Sequence, residues 1–225
     1  MQPDTFFMPA CRKVLVIVAI ILLVSWQVQN ASAQEKPMDA ASVASLKIHV
    51  KEVAQSTKTL SCDFIQEKEM SMLAEKITSR GKFCLKREKM LRWEYLQPFS
   101  YLIVINNDQI YIKDEHKVNQ FNVQTNKVFL EINRVILGSI QGTLLTDEQN
   151  FRATYFETPG AWVVKLTTLA PKLKEALSEI VIYFDHKDYT VKRLDMNEPG
   201  GDCTKITFTE KKINQPIPDE KFVVH

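Results

Sequence analysis

Glycine is scarce. The 225 residues contain only six, none of them arranged as the glycine-rich loop that cradles a phosphate, which excludes the nucleotide-binding folds built on that loop. An excess of one charge is lacking too. Twenty-nine Lys and Arg stand against 27 Asp and Glu, a formal net charge of +2, too balanced for a protein whose affinity comes from neutralising nucleic-acid phosphates. No Gly-x-Ser-x-Gly occurs. The four histidines are His49, His116, His186 and the terminal His225, two of them in polar turns, so no serine nucleophile with a base in reach is apparent. His116 adjoins Asp114 and Glu115, but three consecutive polar residues on a hairpin point different ways and make a solvated turn. Glu67 and Glu69 share a strand face beside Lys68, where their plain role is solubility. No catalytic residue, metal site or cofactor is expected.

The one long apolar run is short of a membrane span. Arg12 and Lys13 precede eleven apolar residues at 14–24, and Ala31-Ser32-Ala33 supplies a small-residue cleavage site. This is the pattern of a secretory signal, removed from 1–33 to leave a mature chain of 34–225; a spanning helix needs about 20 apolar residues. Cys11 leaves with the leader, and Cys62, Cys84 and Cys203 remain, an odd number without metal-like spacing. An oxidising compartment would permit a Cys62–Cys84 bridge. Period-two alternation, however, puts the two thiols on opposite faces of neighbouring strands.

Between 40 and 57 the apolar positions Val43, Leu46, Val50, Val53 and Ala54 recur at three- and four-residue steps and predict a one-sided helix. The period then changes to two, and 60–68, 79–87, 91–95, 101–105, 109–113 and 118–123 read as six short strands joined by polar turns. A second helix is predicted over 127–141, ending near Gly142. Strands resume at 151–157, 161–169, 178–184, 190–196 and 203–211. No linker of proline or serine divides the chain, so a single domain is expected.

Eleven antiparallel strands with two apolar-faced helices suggest a strongly curved sheet that curls round a helix. One face of it holds Phe64, Phe83, Leu85, Leu91, Trp93 and Tyr95, while Lys82, Lys86, Arg92 and Glu94 take the other. Arg87 continues the inward row, where an unpaired guanidinium is costly. It either reaches out to water with its stem on the apolar wall or bonds carbonyls at the end of a covering helix, a charge-assisted contact worth about 1.5–3 kcal/mol.

Phe64 and Gln66, then Gly81-Lys82-Phe83-Cys84-Leu85-Lys86-Arg87, then Leu91-Arg92-Trp93-Glu94-Tyr95 followed by Pro98, together resemble the periplasmic outer-membrane lipoprotein carrier (LolA-like) proteins. The resemblance runs in order along the mature chain, through the helical segment, Asp195 with Gly200 and Gly201, and the tail from Asn214 to Phe222. Its most specific piece is Lys-Arg followed by Arg-Trp-Glu-Tyr and Pro. It implies an unclosed, curved antiparallel β-barrel covered by an α-helical lid. Such a monomeric periplasmic chaperone holds lipoprotein acyl chains between an inner-membrane lipoprotein-release ABC transporter and an outer-membrane lipoprotein acceptor. The acyl cavity is expected at Phe64, Phe83, Leu85, Leu91, Trp93 and Tyr95, with Leu130, Val135 and Ile136 on the covering helix. Arg87 falls where the family has the arginine that latches the lid. Two departures stand out: Glu88 replaces the proline that usually follows the arginine, and Asn107-Asp108 replaces a turn glycine. A same-fold carrier of a glycolipid, an acyl-transfer or hydrolytic enzyme, and an interaction module are the alternative readings.

Overall fold

The first helix owes its start to one side chain. Asp39 accepts the Ser42 N–H at 2.8 Å, an N-cap that satisfies an orphan donor and itself lowers the Asp39 pKa. Helix α1 (Ala40–Ser56) then presents Leu46 and Val50 to the interior, the centre of the predicted stripe, and closes with the Thr57 N–H on the Val53 carbonyl at 3.0 Å. The computed structural model describes residues 35–72, 75–87, 90–107, 109–122 and 127–224, without the side chains at 121 and 127–133. The expected leader, the positions Glu88 and Asp108, and the Leu130 side chain lie outside the described residues. No described helix is long and apolar enough to cross a membrane.

Among the described residues, twelve antiparallel strands form one sheet. They are β1 (Lys36–Pro37), β2 (Thr59–Met70), β3 (Glu75–Lys86), β4 (Met90–Gln97), β5 (Tyr101–Asn106), β6 (Gln109–Lys113), β7 (Val118–Asn122), β8 (Phe151–Thr158), β9 (Ala161–Thr168), β10 (Glu179–Phe184), β11 (Val191–Asn197) and β12 (Cys203–Ile213). Their order is β1-β8-β9-β10-β11-β12-β2-β3-β4-β5-β6-β7, so β1 and β7 are free edges and the barrel is not closed. The eleven predicted strands all form. The twelfth, β1, is a two-residue pairing of Lys36 and Pro37 on Glu157 and Phe156, too short to carry a period. Register breaks at Arg80/Gly81, Tyr183/Phe184 and Thr209/Lys212 add bend where the sheet has to curl.

The long strand β12 returns beside β2, with Phe208 opposite Phe64, and so joins the two meanders. Across the sheet, Cys62, Phe83, Trp93, Ile103 and Ile112 stand in register on the inward face. Cys62, Cys84 and Cys203 are free thiols. Cys62 pairs with Phe83 and Cys84 with Ser61, the opposed orientation that alternation predicts.

Helix α2 (Lys127–Ile140) and α1 pack on this inward face. Leu46, Val50, Val135 and Ile136 belong to the same core as Phe64, Trp93, Ile180 and Ile206. Gly142 ends α2 with φ +68°, and a Cβ there would stand 2.6 Å from Val50 Cγ1; glycine is what lets the two helices meet. A 3-10 turn at Thr143–Thr146 follows, burying Leu144 and Leu145. A four-residue helix α3 (Pro171–Lys174) fills the β9–β10 connection. On the outer face the tail's 3-10 turn, Asp219–Phe222, is held by Arg92, which donates to the Lys221 carbonyl at 3.2 Å.

Candidate functional site

The inward rows of β2, β3 and β4 each pass from aromatic to aliphatic along the strand. At one end Phe64, Phe83, Trp93 and Tyr95 lock together, with ring centroids 5.0 Å apart for Phe64–Trp93, 5.1 Å for Phe64–Tyr95 and 5.2 Å for Phe83–Trp93. Phe64, Phe83 and Trp93 are all buried. Tyr95 donates its hydroxyl to Gln66 Oε1 at 2.9 Å, and burial pushes its pKa up to about 12. Gly81 makes the close approach possible: a Cβ there would lie 2.0 Å from the Glu94 carbonyl oxygen and 2.6 Å from Phe64 Cζ.

At the other end the same rows continue as Leu60 and Cys62 on β2, Leu85 on β3 and Leu91 on β4, and here the interior is hollow. A cavity of about 920 Å3 opens between these residues, α1 and α2, with Phe208 between it and the aromatic cluster. Helix α2 offers it Leu137 and Ile140, and α1 offers Val53, Ala54 and Ile48. Ile48 is 54% exposed, an apolar side chain standing at the mouth. Cys62 adds apolar wall: burial pushes its thiol up to about 12, so it is protonated at neutral pH and not nucleophilic.

Of the predicted site residues, the structure therefore brings Leu85, Leu91 and Arg87 to the cavity. Phe64, Phe83, Trp93 and Tyr95 lie on the predicted face but are packed against one another beyond its lining. Val135 and Ile136 are buried on the sheet; the helical stripe one step round, Leu137 and Ile140, faces the hollow instead. Arg87 stands one residue past β3. Its Nη2 donates to the Ala54 carbonyl at 3.4 Å, and its backbone N–H donates to the Lys58 carbonyl at 2.8 Å, so it touches the last turn of α1. Glu67 and Glu69, the acid pair of the sequence, are engaged by Lys76 at 2.6 Å and Lys205 at 2.7 Å. Asp114 accepts the N–H groups of His116 and Lys117 at 2.8 and 2.9 Å and so is occupied in shaping its own turn.

Apart from Arg87, sequence reasoning missed the basic residues round the mouth. Lys47 and Lys51 on α1, Lys58 after it, Lys86 and Arg87 on the β3 side, Arg134 on α2 and Lys211 on β12 all border the cavity. Only Arg87 had been singled out, and Lys86 had been assigned to the outer face; the other five carried no assignment. The available signal was the four-residue step from Lys47 to Lys51 beside the apolar stripe of α1.

An unclosed half-barrel whose helices roof an apolar hollow is a protein built to bind the greasy part of something else. The chain belongs to the family described as outer membrane lipoprotein carrier protein LolA, which it matches over residues 55–225. It is similar to an outer-membrane lipoprotein carrier protein of Chromobacterium violaceum, 24% identical over 193 residues that cover 85% of this chain and 87% of that one. Among solved structures it is similar to an uncharacterized conserved protein from Thermus thermophilus, with a TM-score of 0.50 and 11% identity over 80% of this chain and 92% of that one. The MucA/MucB complex of Pseudomonas aeruginosa also matches, with a TM-score of 0.50 and 10% identity over 82% of this chain and 61% of that one. At such identities these two likenesses show the fold.

Proposed function

We propose that this protein is a periplasmic lipoprotein carrier that shelters acyl chains in the cavity beside α1. The observation that carries the reading is the apolar hollow of about 920 Å3 in a chain of the LolA family. An acyl chain of about fifteen methylenes costs roughly 12 kcal/mol to expose to water, so unassisted passage through an aqueous compartment is negligible. Walls of Leu60, Leu85, Leu91 and Ile105 remove that cost without directional demands, which suits many cargoes. The chemistry asked of the site is binding and release, and the cavity's thiol, Cys62, is inert. Cargo comes from an inner-membrane lipoprotein-release ABC transporter and leaves to an outer-membrane lipoprotein acceptor.

In this reading α1 is the movable roof, and Arg87 on the Ala54 carbonyl is its latch. Longer chains press past Phe208 towards Phe64, Phe83, Trp93 and Tyr95, and lift α2 with Val135, Ile136 and the Leu130 position. The test incubates the purified protein with inner-membrane vesicles bearing a labelled triacylated lipoprotein. A soluble complex with the lipoprotein supports the reading, and failure to extract any label overturns it. Arg87→Leu is expected to retain preloaded cargo that the parent passes to acceptor membranes; unimpaired passage counts against the latch.

A further inference from the structure

The cavity is apolar, but its border is not neutral. Of the described residues that line it, seven are Lys or Arg and none is Asp or Glu, in a chain whose total charge is only +2. Three of the seven are matched by carboxylates standing off the border. Arg134 meets Asp147 at 2.7 Å, Lys211 meets Asp188 at 3.5 Å, and Lys86 meets Asp219. Lys47, Lys51, Lys58 and Arg87 have no carboxylate partner among the described residues, although Lys47 lies over the Tyr155 ring at 5.4 Å.

Two ordinary causes fall short of explaining this. The carbonyl end of α1 attracts positive charge, but it amounts to roughly half an elementary charge, which Arg87 on the Ala54 carbonyl already offsets. Long basic side chains also lay their stems on apolar surface, which accounts for lysines beside a cavity but not for the absence of any carboxylate among the described residues that line it. The arrangement even works against the helix, since Lys47 and Lys51 are like charges one turn apart. Ester- and amide-linked acyl chains bring no charge to meet these cations. A phosphodiester on the same amphiphile does.

We propose that the mouth is an anion site and that the protein binds acidic phospholipids, with the phosphodiester at Lys51, Lys58 and Arg87 and the acyl chain in the cavity. This rests on the acyl-binding reading above and adds charge selection to it. Lys58 and Arg87 are joined through the backbone bond at 2.8 Å, and both bracket the end of α1, so a head seated there also bears on the roof.

The probes are palmitoyl lysophosphatidylglycerol, which is anionic, and palmitoyl lysophosphatidylcholine, which carries the same chain under a zwitterionic head. Both are titrated calorimetrically into the purified protein below their micellar concentrations. At low salt the anionic lipid is expected to bind about tenfold more tightly, with the gap closing in about 0.5 M NaCl as the charges are screened. In the double variant Lys51→Gln/Lys58→Gln, whose altered side chains are exposed, the ratio should fall below about threefold; circular dichroism checks that the fold persists. Equal affinities in the parent overturn the charge selection and leave acyl binding standing, as does a ratio that survives the double substitution. Binding of neither lipid overturns both readings. Inorganic phosphate that competes as well as the lipid would assign the cations to a free anion and overturn the amphiphile.

Discussion

Position by position along β2, β3 and β4, Phe64, Phe83 and Trp93 occupy one end of the inward face and Leu60, Leu85 and Leu91 the other, with the same backbone geometry throughout. At the first end rings 5.0–5.2 Å apart fill the space; at the second a cavity of about 920 Å3 remains. The difference lies in side-chain size and in what lies above. Rings supply large, rigid area and interlock edge to face, and Gly81 lets Phe64 settle onto the strand. The aliphatic end is roofed by α1, whose last turn is held partly by Arg87. A carrier needs both conditions at once, a solid end that keeps the shell folded and a hollow end that loses little on being opened.

Truncating adjacent inward positions on β3 is the harshest way to break this contrast. Phe83→Ala removes a fully buried ring from the solid end and should cost about 3–5 kcal/mol, read from urea unfolding. Leu85→Ala removes a half-buried side chain that already borders empty space, so only the transfer cost applies, about 1 kcal/mol. Equal losses would mean that the hollow is as tightly integrated as the cluster. Gly81→Ala attacks the solid end from the backbone. The new methyl would sit 2.0 Å from the Glu94 carbonyl, which cannot rotate away, and a loss of about 1–3 kcal/mol is expected; a neutral result would show that β3 and β4 can part without disturbing the rings.

These contrasts also mark what the sequence could tell. Alternation assigned Phe64, Phe83, Leu85, Leu91, Trp93 and Tyr95 to one face, because a pleated strand offers only two. It could not say where along that face space is left, since that depends on α1 and α2 arriving from distant parts of the chain. Hence the aromatics were expected in the lining and are instead in the packed cluster. On α2 the same limit appears as a rotation of one residue step, with Leu137 and Ile140 taking the cavity face in place of Val135 and Ile136. The eleven strands were legible because each carries its own period. β1 was not, because two residues have none, and α3 was hidden because one turn of helix shows no repeat. Arg87 was legible through its place after Leu85 and through the family motif. No sequence pattern singled out Lys51 and Lys58, which only the fold brings to one opening.

Filling the hollow sharpens the contrast at little structural cost. Leu85→Trp places a large ring where space already exists, so stability should change by less than about 1.5 kcal/mol while uptake of an apolar fluorescent probe drops sharply. Undiminished uptake would place the ligand elsewhere. A loss of folding as large as that of Phe83→Ala would mean that the hollow had been packed after all.

Acid should separate the two ends most gently, because charge ties the edge of the hollow and dispersion holds the cluster. Burial would raise the Asp188 carboxyl, but bonds from the Thr190 N–H and hydroxyl at 2.9 and 2.6 Å and the nearby Lys211 outweigh it and hold the pKa below the ordinary 3.8. With the folded value below the unfolded one, the unfolded chain binds more protons in that window, so stability rises with pH through it. The contribution is complete above the unfolded value and is lost as pH falls through the folded one. For a group this exposed the effect is about 0.5 kcal/mol, small for the whole protein but local to Thr190, Val191 and Lys211, which border the cavity. Hydrogen-exchange protection measured near pH 3 and at neutral pH should therefore fall at Val191 and Lys211 before it falls at Phe83 and Trp93. Asp188→Asn should remove that difference between the two pH values. If protection instead declines in step at both ends, the edge of the hollow opens only with the cluster, and the shell cannot release a chain without unfolding.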